Sequence, residues 1–232
     1  MLEEELIREL ENACIAFVTQ QLAIDYLPPI PFAKSNKNTL ISWEESPKLS
    51  YLFRSPAPFN GTSSIEQYLT VLRNRDFTLL LDDGAVIQIS YMVKDNNVRW
   101  HRLFYYPCPI AFAYEELTEL SILELFEVFN EKTLLSRVQN VSPIRFDFDA
   151  DFSDEVHAHC HATIGKKCCR IPVYGPISIN QFFNFIISNY YSDRVSWKIF
   201  EREIPFRTFP PTLNSHHNNP LYFNCTSALA HF

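Results

Sequence analysis

At 232 residues the chain is long enough for one large domain that buries roughly 70% of its unfolded surface, so neither a disulfide nor a metal is needed merely to fold it. Its four glycines, Gly61, Gly84, Gly165 and Gly175, stand alone, which excludes the glycine-rich phosphate loops of nucleotide-binding folds and with them a nucleotide cofactor. A net charge of −7 disfavours a general grip on nucleic acid or anionic lipid, and no stretch approaches the ~18 apolar residues that a membrane span needs. The acidic start, Met1-Leu2-Glu3-Glu4-Glu5, is unlike a signal peptide, and six cysteines without a CxxC pair are expected to stay reduced. The expected location is therefore the cytoplasm.

Leu2, Leu6, Leu10, Cys14 and Phe17 recur at helical spacing, so residues 2–22 are predicted as an amphipathic helix, ended by Pro28, Pro29 and Pro31. Two apolar runs within 40–53 read as short strands. Ser63-Ser64-Ile65-Glu66 has the pattern of a capping box and predicts a helix over about 64–74. From 77 to 106, three apolar runs are separated by Asp82-Asp83-Gly84 and Lys94-Asp95-Asn96-Asn97, which predicts a three-stranded antiparallel meander. Residues 114–132 read as one acidic helix. Strands are expected at 144–152, 156–164 and 168–174, a helix at about 179–192 capped by Ser178, and a last strand at 195–200. The tail from 205, rich in Pro, Asn and His, is expected to wrap the domain irregularly. The whole, 1–232, reads as a single α+β domain: an antiparallel β-sheet with helices packed on one face.

Chemistry concentrates in the two alternating segments. Along 144–152, Phe146, Phe148 and Phe152 fall on one face and Asp147, Asp149 and Asp151 on the other; along 156–164, His157, His159 and His161 share a face. If the segments pair, carboxylates oppose imidazoles, a ligand set suited to zinc, manganese or iron; His157, His159 and His161 become candidate metal ligands, and Asp147, Asp149, His157 and His161 candidate catalytic residues of a metal-dependent hydrolase or nuclease. The same pattern is also that of the wet face of an antiparallel hairpin with no metal. Cys160, Cys168 and Cys169 lie near these histidines, though at no standard zinc spacing. His101, Arg102 and Arg170, each near a proline turn or a strand end, are candidate anion-binding residues. No Gly-x-Ser-x-Gly elbow is present, so a serine nucleophile is not indicated.

Three stretches carry a family likeness. They are Asp82 to Tyr91; His101-Arg102-Leu103 with Tyr106-Pro107-Cys108-Pro109; and His157 to His161, leading to Cys169-Arg170-Ile171-Pro172-Val173 and then Phe182 to Tyr191. Together they resemble the bacterial family known as domain of unknown function 2290. In that pattern a proline follows the first histidine and another histidine comes three residues later. Here Ala158 takes the proline position, His157 and His161 match, and His159 is additional. The resemblance implies a bacterial cytoplasmic protein and assigns no activity; small families of this kind often sit in mobile or defence operons. Three functional expectations follow. The first is an accessory subunit of a multi-component system, such as antiphage defence, with a protein partner or homo-oligomer. The second is the metal-dependent hydrolase. The third is a single-strand nucleic-acid binder using exposed aromatics, which the charge opposes.

Overall fold

The computed structural model describes residues 1–34, 37–44, 62–139, 142–152, 158–165 and 169–213. In chain order the elements are α1 (Leu2–Thr19), β1 (Ala23–Tyr26), β2 (Ile30–Ala33), β3 (Thr39–Ser42), α2 (Thr62–Arg73), β4 (Leu79–Leu81), β5 (Val86–Lys94) and β6 (Asn97–Tyr106). Then come α3 (Tyr114–Glu119), α4 (Ile122–Val128), α5 (Glu131–Ser136), β7 (Ile144–Asp149), β8 (Cys160–Ile164), β9 (Arg170–Pro172), α6 (Ile179–Tyr190) and a 3₁₀ turn at Trp197–Ile199. The described strands form one sheet in the order β1-β4-β5-β6-β7-β8-β9, with β3 also paired to β5 and β2 paired to β3. All pairings are antiparallel.

The expected meander forms, and its turns show why. Gly84 has φ +85°, a conformation that disfavours any side chain, and Asp83 accepts a hydrogen bond from the Ala85 amide to close the turn. Between β5 and β6, Asp95 and Asn96 both take positive φ and Lys94 pairs with Asn97, which is the two-residue turn whose twist matches a hairpin.

Side chains alternate across the sheet, so the register defines two faces. One carries Ile87, Ile89, Tyr91, Leu103, Tyr105, Phe146, Phe148, Cys160 and Ala162, and packs against Leu6, Leu10 and Phe17 of α1 and Phe182, Phe183, Ile186 and Ile187 of α6. Phe17 meets Phe183 at 4.7 Å between ring centroids, and Phe146 meets Phe182 edge-on. Each fully buried ring of this kind stabilises by roughly 1.5–3 kcal/mol. The antiparallel sheet with packed helices is the α+β class expected, but the helices are not confined to this one face. At one end of the opposite face, Val86, Phe104 and Tyr106 form a second, smaller cluster with Tyr68 and Leu72 of α2 and Ile122 and Phe126 of α4.

Several elements depart from expectation. The 114–132 helix is three short helices, because Ser121 and Asn130 each accept a hydrogen bond from an amide three residues on and so begin a new helix. Residues 195–200 form no strand: Ser196 starts a 3₁₀ turn that stacks Trp197 on Phe200. Helix α1 ends at Thr19, ahead of the prolines, and β1 and β2 flank Pro28 and Pro29; among the described strands β2 pairs with β3 alone, so Pro31 sits where a missing amide is tolerated. Strand β7 ends at Asp149, and Phe152 is exposed rather than aligned with Phe146 and Phe148. The expected strand at 49–53 lies outside the described residues. From 205 to 213 the chain is irregular, as expected, and Arg207 bridges Glu5 and the buried Glu9 on α1.

Candidate functional site

The two alternating segments do pair. Asp147 stands opposite His161, Arg145 opposite Thr163 and Phe148 opposite Cys160. The neighbouring ladders extend the row: Arg102 on β6 faces Asp147, and Arg170 on β9 faces Thr163. Because paired residues share a face, β6 to β9 bring Arg102, Arg145, Asp147, His161, Thr163 and Arg170 onto the side away from α1 and α6. Two of the three anion-binding candidates, Arg102 and Arg170, therefore lie on one surface, four strands wide, with the Asp/His hairpin between them.

Asp147 organises this surface. The Nε of Arg102 donates to Oδ1 at 2.6 Å and the Nε of Arg145 to Oδ2 at 2.5 Å. Burial alone would raise the Asp147 pKa, but the two guanidiniums outweigh it and hold the carboxyl below its ordinary range. The Arg145 side chain is 8% exposed. Its pKa is depressed by that burial, opposed by Asp147 and reinforced by the nearby Arg102 and Arg170 charges. His161 lies 3.7 Å from Asp147, too far for a hydrogen bond. Burial, with Arg170 and Arg145 adding to it, lowers its pKa despite the carboxylate, so the ring is neutral at pH 7. Trp100 sits beneath the Arg102 guanidinium at 5.6 Å.

Four buried polar atoms on this surface have no hydrogen-bond partner: both ring nitrogens of His161, the hydroxyl of Thr163 and the Nε of Arg170. Buried polar atoms are normally paired, and these four sit on neighbouring positions of β8 and β9. Among the described residues, Arg102, Arg145 and Arg170 share this face with the carboxylates of Asp147 and Asp149.

The remaining candidates lie elsewhere. His101 is fully buried on the opposite face, where its Nε2 accepts from the Ile177 amide; burial pushes its pKa down to about 3, so it is a neutral structural group and not an anion ligand. His159 donates from Nδ1 to the Asp149 carbonyl at 3.2 Å, and Asp149 accepts from the Asp151 amide. His157 and Cys168 lie outside the described residues. Among the described residues no three His, Cys, Asp or Glu side chains are grouped to hold a metal. Cys14, Cys108 and Cys160 are buried free thiols, and Cys169 is an exposed one. Arg145 and Thr163 were not singled out in the sequence, although strand parity alone puts Arg145 on the Asp147 face and Thr163 on the His161 face.

No helix among the described residues is long and apolar enough to cross a membrane. No curated protein and no solved structure matches the chain. The family description "uncharacterized conserved protein (DUF2290)" matches residues 24–225, most of the length and all of the site just described, so the chain belongs to the DUF2290 family.

Proposed function

We propose that this chain is a non-catalytic recognition subunit of a bacterial multi-component system, and that what it recognises is an anionic group received on the polar face of β6–β9. The observation that carries the reading is the set of unpaired buried atoms on His161, Thr163 and Arg170 beside the guanidiniums of Arg102 and Arg145. An oxyanion can accept from the Thr163 hydroxyl, the Arg170 Nε–H and the His161 ring N–H together. Asp147, already engaged by two arginines, is poorly disposed to ligate a cation as well. The exposed free thiol of Cys169 suits a reducing compartment such as the cytoplasm.

The test is the thermal stability of the full chain with small oxyanions at constant ionic strength. A ligand present at 100 times its Kd adds about 2.7 kcal/mol to the folded state. A saturable rise in Tm that Arg170→Gln abolishes supports the reading; a Tm unmoved by any oxyanion sinks it. Elemental analysis of the same preparation addresses the metal-dependent hydrolase: stoichiometric zinc, manganese or iron that disappears in His159→Ala/His161→Ala would replace anion recognition with that activity.

A further inference from the structure

We propose that a cavity on the other side of the sheet, between the two core clusters, binds a small organic ammonium ion with an apolar body. This site is separate from the polar face of β6–β9, and neither depends on the other. The cavity has a volume of about 530 Å³, within the range of small-molecule sites. It lies where β6 ends and β7 begins. Tyr105 and Ile144 line it from the larger cluster, Cys108 and Ile110 from the smaller one. Phe112 and Tyr190, the last residue of α6, complete an aromatic wall with Tyr105. Among the described residues that line it, Asp83 is acidic and none is basic.

The oxygen-bearing side chains away from its exposed rim, Asp83 and Tyr105, both offer acceptors. Tyr191 donates its hydroxyl proton to Asp83 Oδ2 at 2.8 Å, and the Tyr105 and Tyr191 hydroxyls meet at 3.2 Å. Burial raises the pKa of both phenols, so each keeps its one proton. With the Tyr191 proton committed to Asp83, Tyr105 is the donor to Tyr191, and the Tyr105 oxygen is left with lone pairs alone. Asp83 Oδ1 accepts from the Ala85 amide at 2.9 Å. Each carboxylate oxygen has room for one further donor. The ligand that fits therefore brings N–H or O–H groups. Charge chooses between them. Burial raises the Asp83 pKa against the Ala85 and Tyr191 hydrogen bonds, so its ionised form is incompletely compensated within the protein. Arg194, close enough to be felt, gives both terminal nitrogens to Asp82. An ammonium group supplies the missing charge and a neutral alcohol does not. The three rings act in the same direction, since ring faces attract cations and pack against an apolar body.

The experiment is calorimetric titration of the full, untagged chain at pH 7 with benzylammonium, benzyl alcohol and benzoate at equal ionic strength. The expected result is that benzylammonium binds roughly tenfold or more tightly than the other two. Asp83→Asn keeps an acceptor for the Ala85 amide and, with circular dichroism unchanged, should erase that preference. Gln139→Lys carries the test where Asp83→Asn fails to fold. Gln139 is exposed at the rim, and a lysine there should weaken benzylammonium roughly threefold while leaving benzyl alcohol unchanged. Benzyl alcohol or benzoate binding as tightly as benzylammonium would overturn the inference and leave an apolar pocket without charge recognition. Binding of none of the three also overturns it, as does a benzylammonium preference that survives in every folded variant.

Discussion

Replacing Asp147 by Asn tests whether one carboxylate holds the polar face together. The substitution keeps the shape and one acceptor oxygen but removes the charge that Arg102 and Arg145 share at 2.6 and 2.5 Å. The Arg145 side chain is 8% exposed and that of Asp147 11%, so solvent screens little of the loss. Breaking a buried pair by removing one partner typically costs 3–5 kcal/mol; the retained oxygen points to the lower end, about 3 kcal/mol. For a chain of this size that lowers Tm by roughly 6–12 °C. The pH dependence supplies a second check. The folded Asp147 pKa lies below its ordinary value of 3.8, so the stabilisation is complete above that value and is lost as pH falls through the lower folded value. Urea denaturation of wild type and Asp147→Asn should therefore show a constant gap from pH 7 to about 4, closing only in stronger acid. A gap under about 1 kcal/mol at pH 7 would refute the reasoning, since it would mean that the arginines do not depend on this carboxylate.

Three further outcomes are expected. His101, with a folded pKa of about 3 against an ordinary 6.5, makes the fold lose stability as pH drops below 6.5, about 2 kcal/mol by pH 5; His101→Gln should flatten that slope in denaturation curves taken across this range. Arg207→Ala strands the buried Glu9 carboxylate and should cost about 3 kcal/mol by thermal melts, whereas Glu9→Leu/Arg207→Leu should stay near wild type; equal losses in the two would show that the pair is not what matters. Gly84→Ala forces a side chain into positive φ with its Cβ 3.0 Å from the Tyr68 hydroxyl and 3.1 Å from Ile122. It should lose about 1–3 kcal/mol in urea, and an unchanged midpoint would contradict the crowding.

Much of the sheet was legible because period-two alternation survives translation into structure. The Asp/His hairpin, the Asp-Gly turn and the Ser178 cap are local signals, and each forms as its spacing suggests. The assembly of the site was not local. Arg102, Asp147, Thr163 and Arg170 meet only through the register of three ladders, which depends on loop lengths and packing rather than on any one segment. His101 shows the same limit from the other side. Strand β6 is apolar on both faces near its end, so alternation could not say which way His101 pointed; its pairing with Tyr91 and Phe148 decides it. The breaks at Ser121 and Asn130 were readable in principle. Ser121 precedes Glu124 by three, the spacing of a capping box, but an unbroken apolar and acidic rhythm masked it. In the 28–31 segment proline argued against a strand more strongly than an edge position warrants.

The docking of α1 has a consequence for how the protein is made. Leu6, Leu10 and Phe17 are covered by α6 and by Phe200, which leave the ribosome only after nearly all of the strands. At synthesis rates of about 5–20 residues per second the helix waits on the order of 10–40 s for its cover. During that interval the apolar stripe stays uncovered, bordered by Glu3, Glu4, Glu5 and Glu11, whose mutual repulsion opposes the joining of neighbouring nascent chains through it. Those glutamates, two of which lie well exposed on the finished surface, would thus be most useful before there is a finished surface at all.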